Sequence, residues 1–475
     1  MSEKVLVMKF GGTSMGSAER IQAAARLTME QHAKRPVAIV VSAMSKVTDL
    51  LLDTTRKAET GDEAGVDENL VQLITRHEAC CRELLPPGAS QDSALTGVRA
   101  LIQEFARIVK GMMMLGERPV QSVDRAIAIG ERLSALMMAA YLESQGVRAA
   151  AVNAAAVIAT DAEFGNATPL MAETRERAAA VIGPLLAERV LPVVTGFNGS
   201  TLDEKPTTLG RGGSDFSASI LAAALNAGEL WIWTDVDGIM TADPRLVPDA
   251  RVLDAVTYSE AAEMAYAGAK VLHPRTLAPL VADKIPVWSK NSFAPEKPGT
   301  RIVPAVAAAL GPRAVTSMKD IAMVSIEPAT EPASLAIPSA KLMAEAMHAL
   351  DTAGVELLAI TSSSYRQNFC FIIKQAELSQ ALQHLEEEFA IELAHGYVKP
   401  PVVDTNVGML AVVGEGMRGT PGLAGRIFTA ISRHNINIIA IAQGSSELTI
   451  AIVVRRDGLE QAVRAVHEEC GLAKT

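Results

Sequence analysis

"VMKFGGTSMG", residues 7–16, carries an apolar run into Lys9 and follows it at once with Gly11, Gly12, Thr13 and Ser14. The pattern reads as a strand, a glycine turn and then a helix beginning near Ser17, the repeating unit of a parallel α/β sheet. Backbone amides of a glycine turn can come close to phosphate oxygens, and the start of the next helix adds partial positive charge. A lysine beside them could neutralise a phosphoryl group in transfer. The spacing differs from the common nucleotide loops, and a plain strand-to-helix turn with an exposed lysine is the alternative.

Outward from this stretch, further strand candidates are "PVAIVVSA", "VLPVVTGF", "ELWIWTDV" and "IPVWSKNSF", alternating with helical segments through the first three hundred residues. Several end in small or polar residues, where open α/β sheets place ligands. Residues 53–125 are helical in period and broken by Pro86, Pro87 and Gly88, which predicts a helical insertion serving as cover or contact surface. Beyond the alanine-rich stretch at 305–320 the chain repeats. "VELLAITSSS" and "NFCFIIK" with a helix from Leu378 match "INIIAIAQGSS" and "LTIAIVV" with a helix from Leu459, at an offset of 81 residues. The expected fold is therefore α/β, a mainly parallel sheet sandwiched by helices over residues 1–305. Two ferredoxin-like βαββαβ modules follow, over 306–400 and 401–475.

With 475 residues, 49% hydrophobic and 21% charged, the chain has enough apolar material for two or three cores. A net charge of −10 and only 4% aromatics argue against nucleic acid as a partner. The N-terminus shows no secretory pattern, and no apolar run approaches membrane-spanning length. Cys80, Cys81, Cys370 and Cys470 lack CxxC spacing and read as reduced thiols, so a cytoplasmic protein is expected.

"TTLGRGGSDFSASILAAAL", residues 207–225, places Arg211, Gly212, Gly213, Ser214 and Asp215 in a flexible loop ahead of an apolar helix. The arginine suits a carboxylate, and Asp215 could cap the helix, act in catalysis, or both. "WTDVDGIMTADPR", residues 233–245, crowds Thr234, Asp235, Asp237 and Asp243 before Arg245, but fails the calcium-loop pattern for want of its terminal glutamate. It reads as a nucleotide loop or a solvated turn. Gly414, Gly416 and Gly419 spell GxGxxG, yet the next strand ends in Gln443 where a dinucleotide fold needs an acid. His273 has no partner at metal-ligand spacing and reads as structural.

Taken together, "KFGGTS", "VVSAMSKVTD", "IGERLS", "TTLGRGGSD", "WTDVDGIMTADPR" and "GAKVLHPRT" occur in the order and spacing of aspartate kinases. The chain resembles that family along its whole length, the C-terminal repeats resembling its paired ACT domains. The resemblance implies phosphorylation of the L-aspartate side-chain carboxylate by ATP, the first step toward lysine, threonine and methionine. Such a carboxylate has a pKa of about 4 and is already ionised at neutral pH, so no general base is required. Alignment and charge neutralisation remain for the protein to supply.

The same resemblance assigns Lys9 to the γ-phosphoryl group with the Gly11 and Gly12 amides, and Asp215 to orienting Lys9. Arg211 would bind the substrate α-carboxylate and Glu131 its ammonium, with Ser42, Thr48, Gly212, Gly213 and Ser214 in support. Thr234, Asp235, Met240, Arg245 and Lys270 would line the nucleotide. Magnesium would arrive on ATP, with no dedicated metal ligands in the protein. Met240 stands where the family commonly has a tyrosine, and "EPATEPASLAIPS" (327–339) replaces the glycine-bearing effector loop of the first ACT module. Prolines remove amide donors there, so feedback by lysine or threonine is expected to be weakened, retuned or moved. The family pattern further implies a homodimer or higher homo-oligomer, and the length implies no fused dehydrogenase. The rival readings are a kinase of a related small acid and a catalytically silent amino-acid sensor.

Overall fold

The computed structural model describes residues 4–269, 272–306, 311–329, 339–363 and 368–473. These divide into two compact units. The first comprises residues up to Ile239 together with Asp254–Tyr258 and Leu272–Ala305; the second holds the remainder.

The first unit begins β1 (Leu6–Phe10), α1 (Ala18–His32), β2 (Val37–Val41). A helical lobe follows: α2 (Val47–Glu59), α3 (Glu63–Leu84), α4 (Ala89–Leu115) and α5 (Val120–Ile127). Then come α6 (Ile129–Ser144), β3 (Ala149–Val152), α7 (Met171–Ala187), β4 (Leu191–Thr195), the short hairpin β5 (Asn198–Ser200) and β6 (Pro206–Thr208), and α8 (Gly213–Ala224). The remaining elements are β7 (Glu229–Thr234), β8 (Ala255–Thr257), α9 (Tyr258–Tyr266, mostly in the second unit), α10 (Pro274–Val281), β9 (Val287–Asn291) and β10 (Thr300–Val303).

Eight strands form one sheet in the order β3-β4-β2-β1-β7-β9-β10-β8, parallel except that β10 runs against β9. β1, β2 and β4 are buried at every position, as strands covered on both faces must be. Period-two alternation sends Met8 and Phe10 into a core shared with α1, α6 and the helical lobe. Lys9 points to the opposite face, beneath α8. Cys80 and Cys81 are free and buried in the lobe, and burial pushes the Cys80 thiol up to about 12, far from reactive range.

The second unit holds β11 (Ala314–Met318), β12 (Ile321–Ile326), α11 (Ser339–Thr352), β13 (Ala359–Ser363), β14 (Asn368–Lys374), α12 (Leu378–Glu388), α13 (Ala390–Ala394) and β15 (Val402–Asp404). It ends with β16 (Val407–Val413), α14 (Leu423–Ser432), β17 (Ile438–Gln443), β18 (Thr449–Arg455) and α15 (Leu459–Glu469). α12 and α15 begin at Leu378 and Leu459, the expected repeat positions. Two antiparallel sheets result, β13-β14-β12-β15 and β11-β16-β18-β17.

The two modules do not divide at 400. β12 through β15 complete one βαββαβ copy, whereas the second copy takes its last strand from upstream, β11 pairing antiparallel with β16. Likewise, Met240–Leu253 leaves the expected 1–305 domain for the second unit. The reason is apolar: Ala242, Val247 and Ala250 are buried in a cluster with Val315, Leu410 and Ile427, and Val315 N–H donates to the Thr241 carbonyl at 2.8 Å. Gly414 of the GxGxxG segment serves packing. A methyl on Gly414 would lie 2.7 Å from the Gly311 carbonyl oxygen.

Candidate active site

Strand order alone locates a crevice. From β1 the chain crosses to β2 on one side, while from β7 it goes on to β9 on the other, so the carboxyl ends of β1 and β7 flank a topological switch point. The loops there are the glycine turn after Phe10 and the "TDVDG" segment after Trp233. Gly11 N–H donates to the Trp233 carbonyl at 3.3 Å, tying the turn to β7. Ser45 N–H and its hydroxyl both donate to the Gly12 carbonyl, at 3.2 and 2.9 Å, tying it to the loop after β2.

Lys9 is 8% exposed and its Nζ stands 2.5 Å from Asp215 Oδ1. A buried ammonium requires such a partner. Asp215 is the third residue of α8, whose cap position is Gly212; no side chain caps this helix, so Asp215 serves the lysine, while of the first-turn amides Gly213 N–H donates to the Gly210 carbonyl at 3.0 Å. Ammonium, glycine turn and helix start together suit polyanionic oxygen. Gly196 sets the approach of α8. A methyl placed there would sit 2.7 Å from Ser214 Cβ and 3.1 Å from its Cα. Gly196→Ala is therefore expected to displace the start of α8, and Asp215 with it, lowering kcat by about 10²-fold, the cost of misplacement near 1 Å. Steady-state kinetics beside a thermal melt would show the rate falling far more than the stability.

Glu131 lies in the first turn of α6, 3% exposed, where Ala43 N–H donates to its Oε1 at 3.2 Å. Its Oε2 has no hydrogen-bond partner among the described residues. Gly130 permits the approach, since a methyl there would lie 2.8 Å from Ala43 Cβ. Burial pushes the Glu131 carboxyl up to about 8, only partly offset by the backbone donors. An orphaned, buried carboxylate oxygen beside an open crevice is built for a cation. Ser42 is half-buried on the β2-to-α2 loop and Thr48 is half-buried in the first turn of α2. Arg211 is exposed, with no hydrogen bond or ion pair among the described residues, and Gly213 is buried behind it.

On the β7 side, Thr234 donates its hydroxyl to Asp235 at 3.3 Å. Met240 and Arg245 belong to the second unit; Met240 packs on that unit's core, and Arg245 is fastened to Asp243 at 2.5 Å. Lys270 lies outside the described residues. His273 is structural, its Nδ1 accepting from Arg275 N–H at the start of α10.

Asp237 of the candidate loop accepts from Asn291 Nδ2 and from Lys297, each at 2.6 Å, and the Lys297 ammonium holds its carboxyl below the usual range. Asn291, Ser292 and Arg76 are contributors that escaped the sequence reading. The Ser292 hydroxyl bonds Ser14 at 2.8 Å and the Thr234 carbonyl at 3.2 Å, while Arg20 donates to Ser292 and lies over the Phe293 ring. From the lobe, expected to serve as cover or contact surface, Arg76 donates to the Ser45 carbonyl at 2.7 Å. "KNSF", closing a strand beside the crevice, was the available signal for Asn291 and Ser292.

The sequence pattern of the amino acid kinase family matches residues 4–291, and that of the ACT domain matches residues 410–470. The bifunctional aspartokinase/homoserine dehydrogenase of Haemophilus influenzae is 35% identical over 97% of this chain and 56% of its own length. The chloroplastic bifunctional enzyme 1 of Arabidopsis thaliana is 34% identical over 99% of this chain and 51% of its own. The chain thus spans about half the length of these relatives. The aspartokinase of Schizosaccharomyces pombe is 31% identical over 98% of this chain and 92% of its own. Among solved structures, E. coli aspartokinase III in complex with aspartate and ADP superposes with a TM-score of 0.82 at 27% identity, covering 98% of this chain and 99% of that one.

Proposed function

Because the chain belongs to the amino acid kinase family, we propose that it is an aspartate kinase, transferring the γ-phosphoryl group of ATP to the side-chain carboxylate of L-aspartate. The observation that carries this reading is the Lys9–Asp215 pair of 2.5 Å beneath the glycine turn. It holds one positive charge where a phosphoryl group would pass, and phosphoryl transfer depends chiefly on alignment and charge neutralisation. Gly11 N–H is taken by the Trp233 carbonyl, so in this reading the Gly12 amide and the start of α8 meet the nucleotide phosphates, and magnesium arriving on them would neutralise further charge. Glu131 takes the substrate ammonium, and Arg211 the α-carboxylate in bidentate fashion. Together they present the side-chain carboxylate to the phosphoryl group. Aspartokinase relatives, and the aspartate and ADP in the similar E. coli structure, support this choice of substrates.

Thr234 and Asp235 line the nucleotide in this reading, with Met240, Arg245 and Lys270 as further contributors. An amino-acid effector, lysine or threonine, is proposed for the ACT modules, supported by the E. coli aspartokinase III complex with lysine and aspartate, TM-score 0.79 at 28% identity. The altered loop falls mostly outside the described residues. A cavity of about 320 Å³ in the second module, lined by Met417, Thr420, Gln443 and Glu447, offers room for such a ligand. The expected weakening of feedback is read by titrating each amino acid against activity; strong inhibition at low concentration would overturn it. A homo-oligomer associated through these modules and a cytoplasmic location complete the proposal.

The test is ADP release from the purified chain with aspartate, with glutamate and without acceptor. ADP release that depends on aspartate and exceeds the glutamate rate supports the reading, and none with aspartate removes it.

A further inference from the structure

Asp124, in α5, is a carboxylate that the proposed reaction does not touch, yet it is 1% exposed. Its Oδ2 accepts from Gly165 N–H at 2.8 Å and from Thr208 N–H at 2.9 Å, and its Oδ1 accepts from the Thr208 hydroxyl at 2.7 Å. A buried carboxylate costs stability unless such donors surround it, and burial indeed pushes its pKa up against them. Apolar packing would hold α5 at least as well. The use of a charge points to what it holds.

Its donors come from segments that bracket the Arg211 loop. Thr208 closes β6 just before Leu209, Gly210 and Arg211, and Gly165 adjoins Asn166, whose Oδ1 would lie 2.4 Å from a methyl on Gly210. From the other side Arg275 donates to the Leu209 carbonyl at 3.3 Å, to the Ala167 carbonyl at 2.8 Å and to the Asn166 side chain, with its guanidinium over the Phe216 ring of α8. Asp124 itself sits on the helix that leads, through Ala128 alone, into α6 and Glu131. One buried side chain therefore joins the helix pair bearing the ammonium-binding carboxylate to the loop bearing the carboxylate-binding arginine.

We propose that Asp124 is a positioning residue that fixes the Arg211 loop relative to Glu131, so that the substrate's head group is anchored at a set place and one side-chain length reaches the phosphoryl group. This rests on the aspartate kinase reading. With a firm anchor, aspartate and glutamate differ by one methylene in where their side-chain carboxylates fall. A loosened loop blurs that difference.

The experiment is steady-state ADP release by the full chain and by Asp124→Asn and Thr208→Val, with aspartate, glutamate and ATP each varied, beside thermal melts. Asp124→Asn is expected to raise KM for aspartate about tenfold and to narrow the aspartate-to-glutamate preference in kcat/KM several-fold, with KM for ATP within about twofold. Thr208→Val keeps the backbone bond and loses the hydroxyl bond, so a smaller shift in the same direction is expected, and it carries the test if Asp124→Asn does not fold. KM for aspartate unchanged in the folded variants, or equal rises for aspartate and ATP, overturns the proposal. A wild type that releases no ADP with aspartate overturns the kinase reading and this proposal with it; a wild type that does, beside variants with unchanged KM, overturns the proposal alone.

Discussion

Lys9→Ala is expected to lower kcat by about 10³-fold while leaving KM for aspartate within a few-fold. Removing one preorganised donor from a developing negative charge typically costs 10²–10³ in rate, about 3–4 kcal/mol. Here the loss falls at the upper end, because Asp215, 2.5 Å from the lysine, would be left as an unbalanced negative charge beside an anionic nucleotide. Aspartate itself is held by Arg211 and Glu131 in the proposed arrangement, which is why binding changes little. Lys9→Arg is not expected to rescue. Lys9 is 8% exposed and its ammonium stands 2.5 Å from Asp215, and a planar, longer guanidinium does not reproduce that compact charge. ADP release under saturating substrate decides the matter: a rate for Lys9→Ala within tenfold of wild type would remove Lys9 from the reaction.

Glu131→Gln carries the second large effect, an expected fall of about 10²-fold in kcat/KM for aspartate, expressed mainly in KM. Truncating one partner of a buried charge pair commonly costs several kcal/mol, and the amide that replaces it cannot match an ammonium. The same substitution is expected to stabilise the ligand-free protein. The folded carboxyl titrates at about 8 against an ordinary value of 4.5, so folding favours its protonated form. Its contribution to stability is complete below pH 4.5 and is lost as pH rises through 8. Glutamine does not ionise, so the Tm advantage of Glu131→Gln should widen between those limits and level off above them. An ammonium bound beside Glu131 would draw its pKa back down, so aspartate binding near pH 7 should release a proton and KM should rise toward acid pH. Calorimetric titration in buffers of different ionisation enthalpy reads that proton. Equal Tm differences at pH 5 and 8 would show that Glu131 is not the titrating group.

Of the two residues, Lys9 could be singled out from its local pattern, whereas Glu131 was named only through the family resemblance. Lys9 follows an apolar run and precedes two glycines; Asp215 follows a glycine loop and opens a buried helix. Strands buried on both faces leave continuous apolar runs, which is why β1, β2 and β4 fall within the expected stretches, and β7 and β9, each half-buried at some positions, keep enough β-branched and aromatic residues to do the same. The 81-residue repeat is equally legible, because each copy must present the same apolar face to its own core.

What escaped depends on pairing between distant segments. The stretch 305–320 reads only as a domain boundary, and nothing local says that β11 within it completes a sheet begun almost a hundred residues later at β16. Nor does it reveal that Met240–Leu253 packs with the second unit, since its apolar residues would suit either core. Asp124 reads as one more polar residue on a short helix until Thr208 and Gly165 are brought to it.

The sequence by itself determined the strand-turn-helix units, the repeat, and Lys9, Arg211 and Asp215 as candidates beside glycine turns, because these follow from short-range periodicity and residue chemistry; their roles, and Glu131, came from the family resemblance. Only the tertiary structure decided the finer partners: which oxygen of Glu131 is left open, how closely Asp215 meets Lys9, and which buried carboxylate fastens the Arg211 loop. Hydrogen bonds and ion pairs act over about 3 Å, and which groups come that close is set by the packing of whole elements.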